Sequence, residues 1–439
     1  MTAVTISKAV RSHRELTPRS AYVLVAAIIA LSLFASGTPS PLYGTYRVLW
    51  GLSPLVLTLV YATYAFGVLA TLLLAGPISD QVGRRPVLLV ALATLMGSTV
   101  LFMLADSVVW LFAARAIQGL ATGLALSASS AALLDLHARR DPHAVGLANG
   151  VASAGGMGLG VLVSALIVDL LPAPRVLPYA ALFVLFALAF AGAMRMPEPV
   201  ASRSRLRLTP QRPAVPRQVR PAFLLAALGV MSSWSIGGLF LSLGPQFSGG
   251  LFHTTSPLVG GISVFALAGP AAIAQIVFRR AVPWAGAAYG SIALAVGMLT
   301  VVAAASTDSG VLYIAGSIVG GIGFGVAFLG ALRALSAAIP AEHRGAVMSA
   351  FYVVAYSSLS LPAILAGLLD TPLGLRPTFE IFGSAIAALA LTVAGLAWRT
   401  RPAVADARAV APELGGLLTP VAARTHGTAR PLRPRSNQR

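Results

Sequence analysis

From Ala21 to just before Arg399 the chain repeats one pattern: a nearly uncharged apolar stretch of about 20 residues, then a short polar or basic break. A helix rising about 1.5 Å per residue needs that length to cross the hydrocarbon core of a bilayer. Twelve such stretches are expected, over residues 21–38, 54–77, 86–104, 108–134, 145–168, 177–194, 221–243, 256–278, 283–304, 310–333, 346–369 and 378–398. The first alone has the look of a signal peptide, but comparable stretches continue along the chain. The seventh and eighth are parted by little charge, and Gly244-Pro245 with the polar run Gln246 to Pro257 is expected to turn between them. Composition agrees. Of 439 residues 57% are hydrophobic and 10% charged, against about 25% charged in a soluble domain. The mean hydropathy is +0.84. The expected fold is all-α and integral to the membrane.

The basic residues set the expected orientation, because cytoplasmic loops collect Lys and Arg. With the N-terminus inside, inner segments hold Lys8, Arg11, Arg14, Arg19, Arg84, Arg85, Arg139, Arg140, Arg279, Arg280 and Arg344. They also hold the run from Arg195 to Arg220 and the C-terminal tail, while outer loops hold Arg47, Arg175 and Arg376. The net charge of +18 therefore reads as topology rather than as a nucleic-acid interface. Both termini are expected on the cytoplasmic side of a bacterial cytoplasmic membrane. The expected divisions are a tail (1–20), a six-helix bundle (21–194), a basic linker (195–220), a second six-helix bundle (221–398) and a disordered tail (399–439).

Several chemistries are not encoded. Cysteine is absent, so disulfides and thiolate sites are excluded. His13, His137, His143, His253, His343 and His426 are scattered, without the helical spacing of a zinc enzyme. No P-loop and no serine nucleophile elbow is present. No metal, cofactor or catalytic cluster is expected, and the chain does not read as an enzyme.

The sharpest motif runs from Gly76 to Leu88, between the second and third stretches. Gly76 and Gly83 allow close approach and unusual backbone angles. Asp80, Arg84 and Arg85 place an acid and two fork-shaped donors at a helix junction, a latch that can form and break. Asp135, at the inner end of the fourth stretch, is expected to join it. A second feature is Arg115 inside the fourth stretch, followed by Gln118, Gly119 and Gly123. A mid-membrane charge is costly and points to a role. The fifth stretch carries Gly146, Gly150, Gly155, Gly156, Gly158 and Gly160, a spacing that lets helices cross closely.

The first motif resembles the signature of the major facilitator superfamily: Gly76, Asp80, Gly83, Arg84 and Arg85 all match, with Gln81 in place of a basic residue. The second resembles a motif of the drug/proton antiporter branch, in which the arginine is associated with proton coupling. The third matches in part: after Gly160 the branch's proline and final glycines are replaced, with Val161, Ser164 and Ala165 standing there. The resemblance implies two six-helix bundles alternating about a central cavity, and a cytoplasmic latch joining the two halves in the outward-open state. It also implies Arg115, Gln118 and Gly119 as the coupling group.

A substrate cavity is expected among Tyr61, Tyr64, Asn149, Trp234, Gln246, Tyr352 and Tyr356, apolar walls with a few polar groups. Gln275, Tyr43, Tyr46 and Arg47 are further polar or aromatic candidates. The acids near membrane depth are Asp135, Asp169, Asp370 and Glu380, with Asp169 the leading protonatable carboxylate and Glu380 one turn from Arg376. The expected function is export of small amphipathic or drug-like molecules, with protons and the lipid bilayer as partners. A sugar or metabolite permease, an uncoupled facilitator and a non-transporting sensor or scaffold stand beside it.

Overall fold

Pro18 follows Thr17, Pro54 follows Ser53 and Pro142 follows Asp141; in each pair the polar side chain caps a helix whose first turn the proline opens. The computed structural model describes residues 15–200 and 210–401, and these cap-and-proline pairs start three of its helices. In the first half the helices are α1 (Pro18–Gly37), α2 (Tyr43–Trp50), α3 (Pro54–Ala75), α4 (Ile78–Val82), α5 (Arg84–Met103), α6 (Val108–Leu136), α7 (Pro142–Leu170) and α8 (Leu177–Ala193). In the second they are α9 (Arg220–Ser242), α10 (Gly244–Leu251), α11 (Pro257–Val277), α12 (Pro283–Thr307), α13 (Gly310–Ala338), α14 (Arg344–Leu373) and α15 (Leu375–Arg399). Among the described residues, 11 helical segments are long and apolar enough to cross a membrane, and α8, with 17 residues, is the shorter twelfth apolar helix. The fold is the expected one, twelve membrane helices in two six-helix bundles. Much of the expected N-terminal tail, the middle of the linker (201–209) and residues 402–439 of the C-terminal tail lie outside the described residues. The described residues through Arg399 form one unit.

Leu188, Leu224, Ile273 and Val311 are more than half exposed, as expected of surface that faces lipid. Each half keeps its own apolar core, one built around Ile28, Leu92 and Phe186, the other around Phe240, Met298 and Phe379. Two seams join the halves, α3 against α14 and α7 against α11. Glycine makes the second seam close: Gly158 faces Ala268, and Gly150 faces Gln275. The opposite face of α7 sits on α1, with Gly156 over Ala30 and Gly160 over Phe34.

The turn expected after the seventh stretch is instead a short helix, α10, which Pro245 opens. It has a counterpart in α2, after the double break of α1 at Pro39 and Pro41. Both short helices lie at the end of the bundle opposite Arg84. This matched pair is a sign of internal repetition in the two halves.

Candidate functional site

At the Arg84 end, α3 stops and the short α4 turns the chain into α5. Gly83 takes φ +112, a region that side chains disfavour, and this bend sets Arg84 under Asp80. The Arg84 guanidinium pairs with Asp80, reaches Asp135 at 3.0 Å through Nε and donates to Ser79 Oγ at 2.8 Å. Ser127 Oγ donates to the carbonyl of Gly76 at 2.9 Å. Arg85 enters differently: its backbone N–H, like that of Arg84, donates to the Glu198 carboxylate, at 3.0 and 2.9 Å. These bonds knit parts of one half together, whereas the resemblance implied a bond between halves. The reason is geometric: Asp135 and Glu198 leave helices α6 and α8 of the same bundle on this side.

Glu198 has no place in the sequence motif. It caps the start of α5, where four backbone N–H groups lack helical partners. Glu198→Ala is expected to cost about 1–2 kcal/mol through the lost cap. Glu198→Gln, which keeps one acceptor, is expected to cost less. Thermal unfolding of the purified variants checks the order.

At the other end the break in α1 creates the second cluster. Pro39 has no N–H for the carbonyl of Ala35, and the last carbonyls of any helix lack partners. Side chains from other helices fill these places. Gln118 Nε2 donates to Ala35 O at 3.0 Å, Arg115 Nη1 to Ser36 O at 3.0 Å and Ser164 Oγ to Thr38 O at 2.6 Å. Arg115 is wholly buried. It also donates to Gln118 Oε1 at 2.8 Å and to the Tyr43 hydroxyl, and its guanidinium stands 5.4 Å from the centre of the Tyr64 ring. Its partners are neutral dipoles and rings, a form of support for a buried cation that needs no carboxylate. Gly119, one residue after Gln118, lets α6 cross α3 at the Tyr64 carbonyl.

The proposed cavity residues divide. Tyr64 and Tyr356 pack together in the α3/α14 seam, with Trp234 and Tyr352 against them. Trp234 meets Tyr356 edge to face, with ring centres 5.2 Å apart. Tyr61 lies on the same helix as Tyr64, its hydroxyl buried without a hydrogen-bond partner among the described residues. Asn149 is outside this group, donating from α7 to Ser130 Oγ at 2.8 Å. Gln246 is farther away, on α10 at the far end, where it accepts from Arg47 Nη1 at 3.0 Å. Its place in the polar run after Pro245, rather than in a long apolar stretch, carried that signal.

Gln246 belongs to a fastening between the halves. Ser40 Oγ donates to the Leu241 carbonyl at 2.6 Å, and Ser256 Oγ to Asp169 at 2.8 Å. With Arg47 to Gln246, these bonds stand at the end opposite Arg84. Beneath them an apolar layer draws on both halves, with Leu42, Leu57 and Tyr61 against Leu241, Val264 and Ala363.

The Major Facilitator Superfamily profile matches residues 25–363. Multidrug resistance protein D of Escherichia coli K12 is 38% identical over 97 residues, which span 22% of each chain. Multidrug resistance protein MdtL of Escherichia coli is 30% identical over 131 residues, 29% of this chain and 34% of that one. The chain thus spans about a fifth and a third of the length of these relatives. The fold is similar to that of the Escherichia coli xylose transporter XylE in a partially occluded inward-open conformation, with a TM-score of 0.69, 14% identity, and coverage of 88% of this chain and 98% of that one. It is similar also to the human organic anion transporter MFSD10, with a TM-score of 0.60, 17% identity, and coverage of 87% and 100%. With its signature loop, its two six-helix halves and a profile match over most of its length, the chain belongs to the major facilitator superfamily.

Proposed function

We propose that this protein exports small amphipathic or drug-like molecules across a bacterial cytoplasmic membrane by alternating access, in exchange for protons, with both termini in the cytoplasm. The observation that carries the reading is the unequal fastening of its two ends. Polar bonds between halves close the Arg47 end, while the charge cluster at the Arg84 end lies within one half. Such an arrangement suits bundles that rock about a central site, with the Arg84 cluster free to re-pair as they move. The Tyr64, Tyr356 and Trp234 group offers aromatic surface with few polar atoms, which suits amphipathic cargo better than a sugar. The multidrug resistance names of the partial relatives support export. Arg115 is the buried cation near this group, so neutral or anionic amphiphiles are the favoured cargo.

Inside-out vesicles carrying an imposed proton gradient test the function. A panel of neutral, anionic and cationic amphiphiles and sugars is added, and gradient collapse is recorded. The expected result is proton release on addition of a drug-like compound, lost in Arg115→Ala and reduced in Asp80→Asn. No response to any compound from correctly inserted protein would remove proton antiport.

A further inference from the structure

From Pro210 onward the linker carries a proline at every third residue: Pro210, Pro213 and Pro216. Proline holds φ at about −65° and has no N–H, and three residues per turn is the period of an extended polyproline helix. Residues 210–216 accordingly stay out of any α-helix, and Pro216 takes φ −56 and ψ 147. That period sets the N–H groups of Gln211 and Ala214 on one face. Gln211 N–H donates to the Leu73 carbonyl at 2.7 Å, and Ala214 N–H to the Ala346 carbonyl at 3.3 Å.

The two carbonyls belong to different halves. Leu73 lies in the last turn of α3, where carbonyls have no helical partner. Ala346 lies in the first turn of α14. The Gln211 side chain covers the same start of α14: a Cβ at Gly345 would stand 3.1 Å from Gln211 Oε1. Three residues past Pro216, Val219 is 2% exposed and packs with Leu335, Val347 and Phe351. The segment is thus rooted in the second half. Among the described residues, its backbone reaches the first half through one hydrogen bond, from Gln211. Beside that bond Leu69, Leu72 and Tyr352 pack on Val68 and Tyr356, so it crosses the α3/α14 seam at the Arg84 end.

We propose that residues 210–216 are a strap over the Arg84 end of the α3/α14 seam, rooted at Val219, and that the bond from Gln211 N–H to Leu73 must break for this end to open. The proposal rests on the alternating-access reading above. The prolines keep the strap extended when it is detached, so little chain entropy opposes its return. One neutral hydrogen bond contributes little net free energy, so the strap biases the end toward closure without locking it.

The chain has no cysteine, so a single introduced thiol reports the opening. Val68, wholly buried in the seam, is the site for Val68→Cys, and the exposed His143 gives His143→Cys as the reference for intrinsic thiol reactivity. Maleimide labelling is measured on full-length protein in lipid nanodiscs. Gln211→Pro and, separately, Ala214→Pro remove the two donors and keep the backbone extended. Each is expected to raise the Val68→Cys rate, divided by the reference, by about two- to tenfold. Gln211→Ala keeps the N–H and should leave the rate unchanged. An unchanged rate in the folded proline variants would overturn the strap and leave alternating access standing. A rate in Gln211→Ala as high as in Gln211→Pro would overturn the backbone bond as its fastening. No labelling of Val68→Cys in any of these proteins would overturn both the strap and the opening it restrains.

Discussion

Arg115→Ala is expected to abolish transport and to lower the stability of the folded protein by about 3–5 kcal/mol, since buried groups left unpartnered cost about 1–3 kcal/mol each. The change strips Ser36 O and the Tyr43 hydroxyl of their donors and leaves Gln118 Oε1 without its cation. It also opens a cavity beside the break in α1. Arg115→Lys keeps the charge but not the fork, so it should hold one partner at a time and fall between wild type and alanine. Arg115→Met keeps much of the volume and none of the donors. Thermal unfolding and vesicle transport separate the roles. A methionine variant as stable and active as wild type would show that the hydrogen bonds to α1 do not matter.

The second large effect is steric. A Cβ at Gly156 would run into the carbonyl of Ala30, and one at Gly160 into the carbonyl of Phe34. Backbone atoms cannot turn aside as a flexible side chain can. Gly156→Ala and Gly160→Ala are each expected to destabilise by about 1–3 kcal/mol, the usual range for overpacking. The double variant should fail to accumulate as folded protein. Gly146, on the same helix, has open space where its Cβ would stand. Gly146→Ala should be neutral or stabilising by up to about 1 kcal/mol, because alanine is the better helix former. Equal behaviour at Gly146 and Gly160 would sink the idea that contact with α1, rather than helix propensity, sets the cost.

These cases show where reading from sequence reached and where it stopped. The helices were legible because lipid leaves the backbone few choices: a long apolar run must satisfy its own hydrogen bonds. The signature loop was legible because an acid and two arginines rarely sit between apolar stretches without cause. Arg115 stood out for the same reason, as a charge at depth. Its partners did not stand out. Tyr43, the carbonyls of Ala35 and Ser36, and Gln118 come together only when α6 crosses the end of α1. A careful count of carbonyls orphaned by Pro39 would have shown that donors were needed there, though not which helix supplies them. Glu198 was hidden because its role is to hold two backbone N–H groups, which carry no residue identity.

Local chemistry alone thus decided that this chain is a helical membrane protein, roughly where its long helices lie, and which loops gather positive charge. Those properties depend on neighbours along the chain, on hydropathy and on capping. Tertiary packing alone decided that Arg84 closes on Asp135 within one half and that Gln246 fastens to Arg47 at the far end. It also buried Asp370 on α14 while leaving Asp169 exposed and bonded to Ser256. Burial and partnership are properties of distance in space, and residues more than 300 positions apart, such as Thr58 and Gly367, meet only once both bundles are in place.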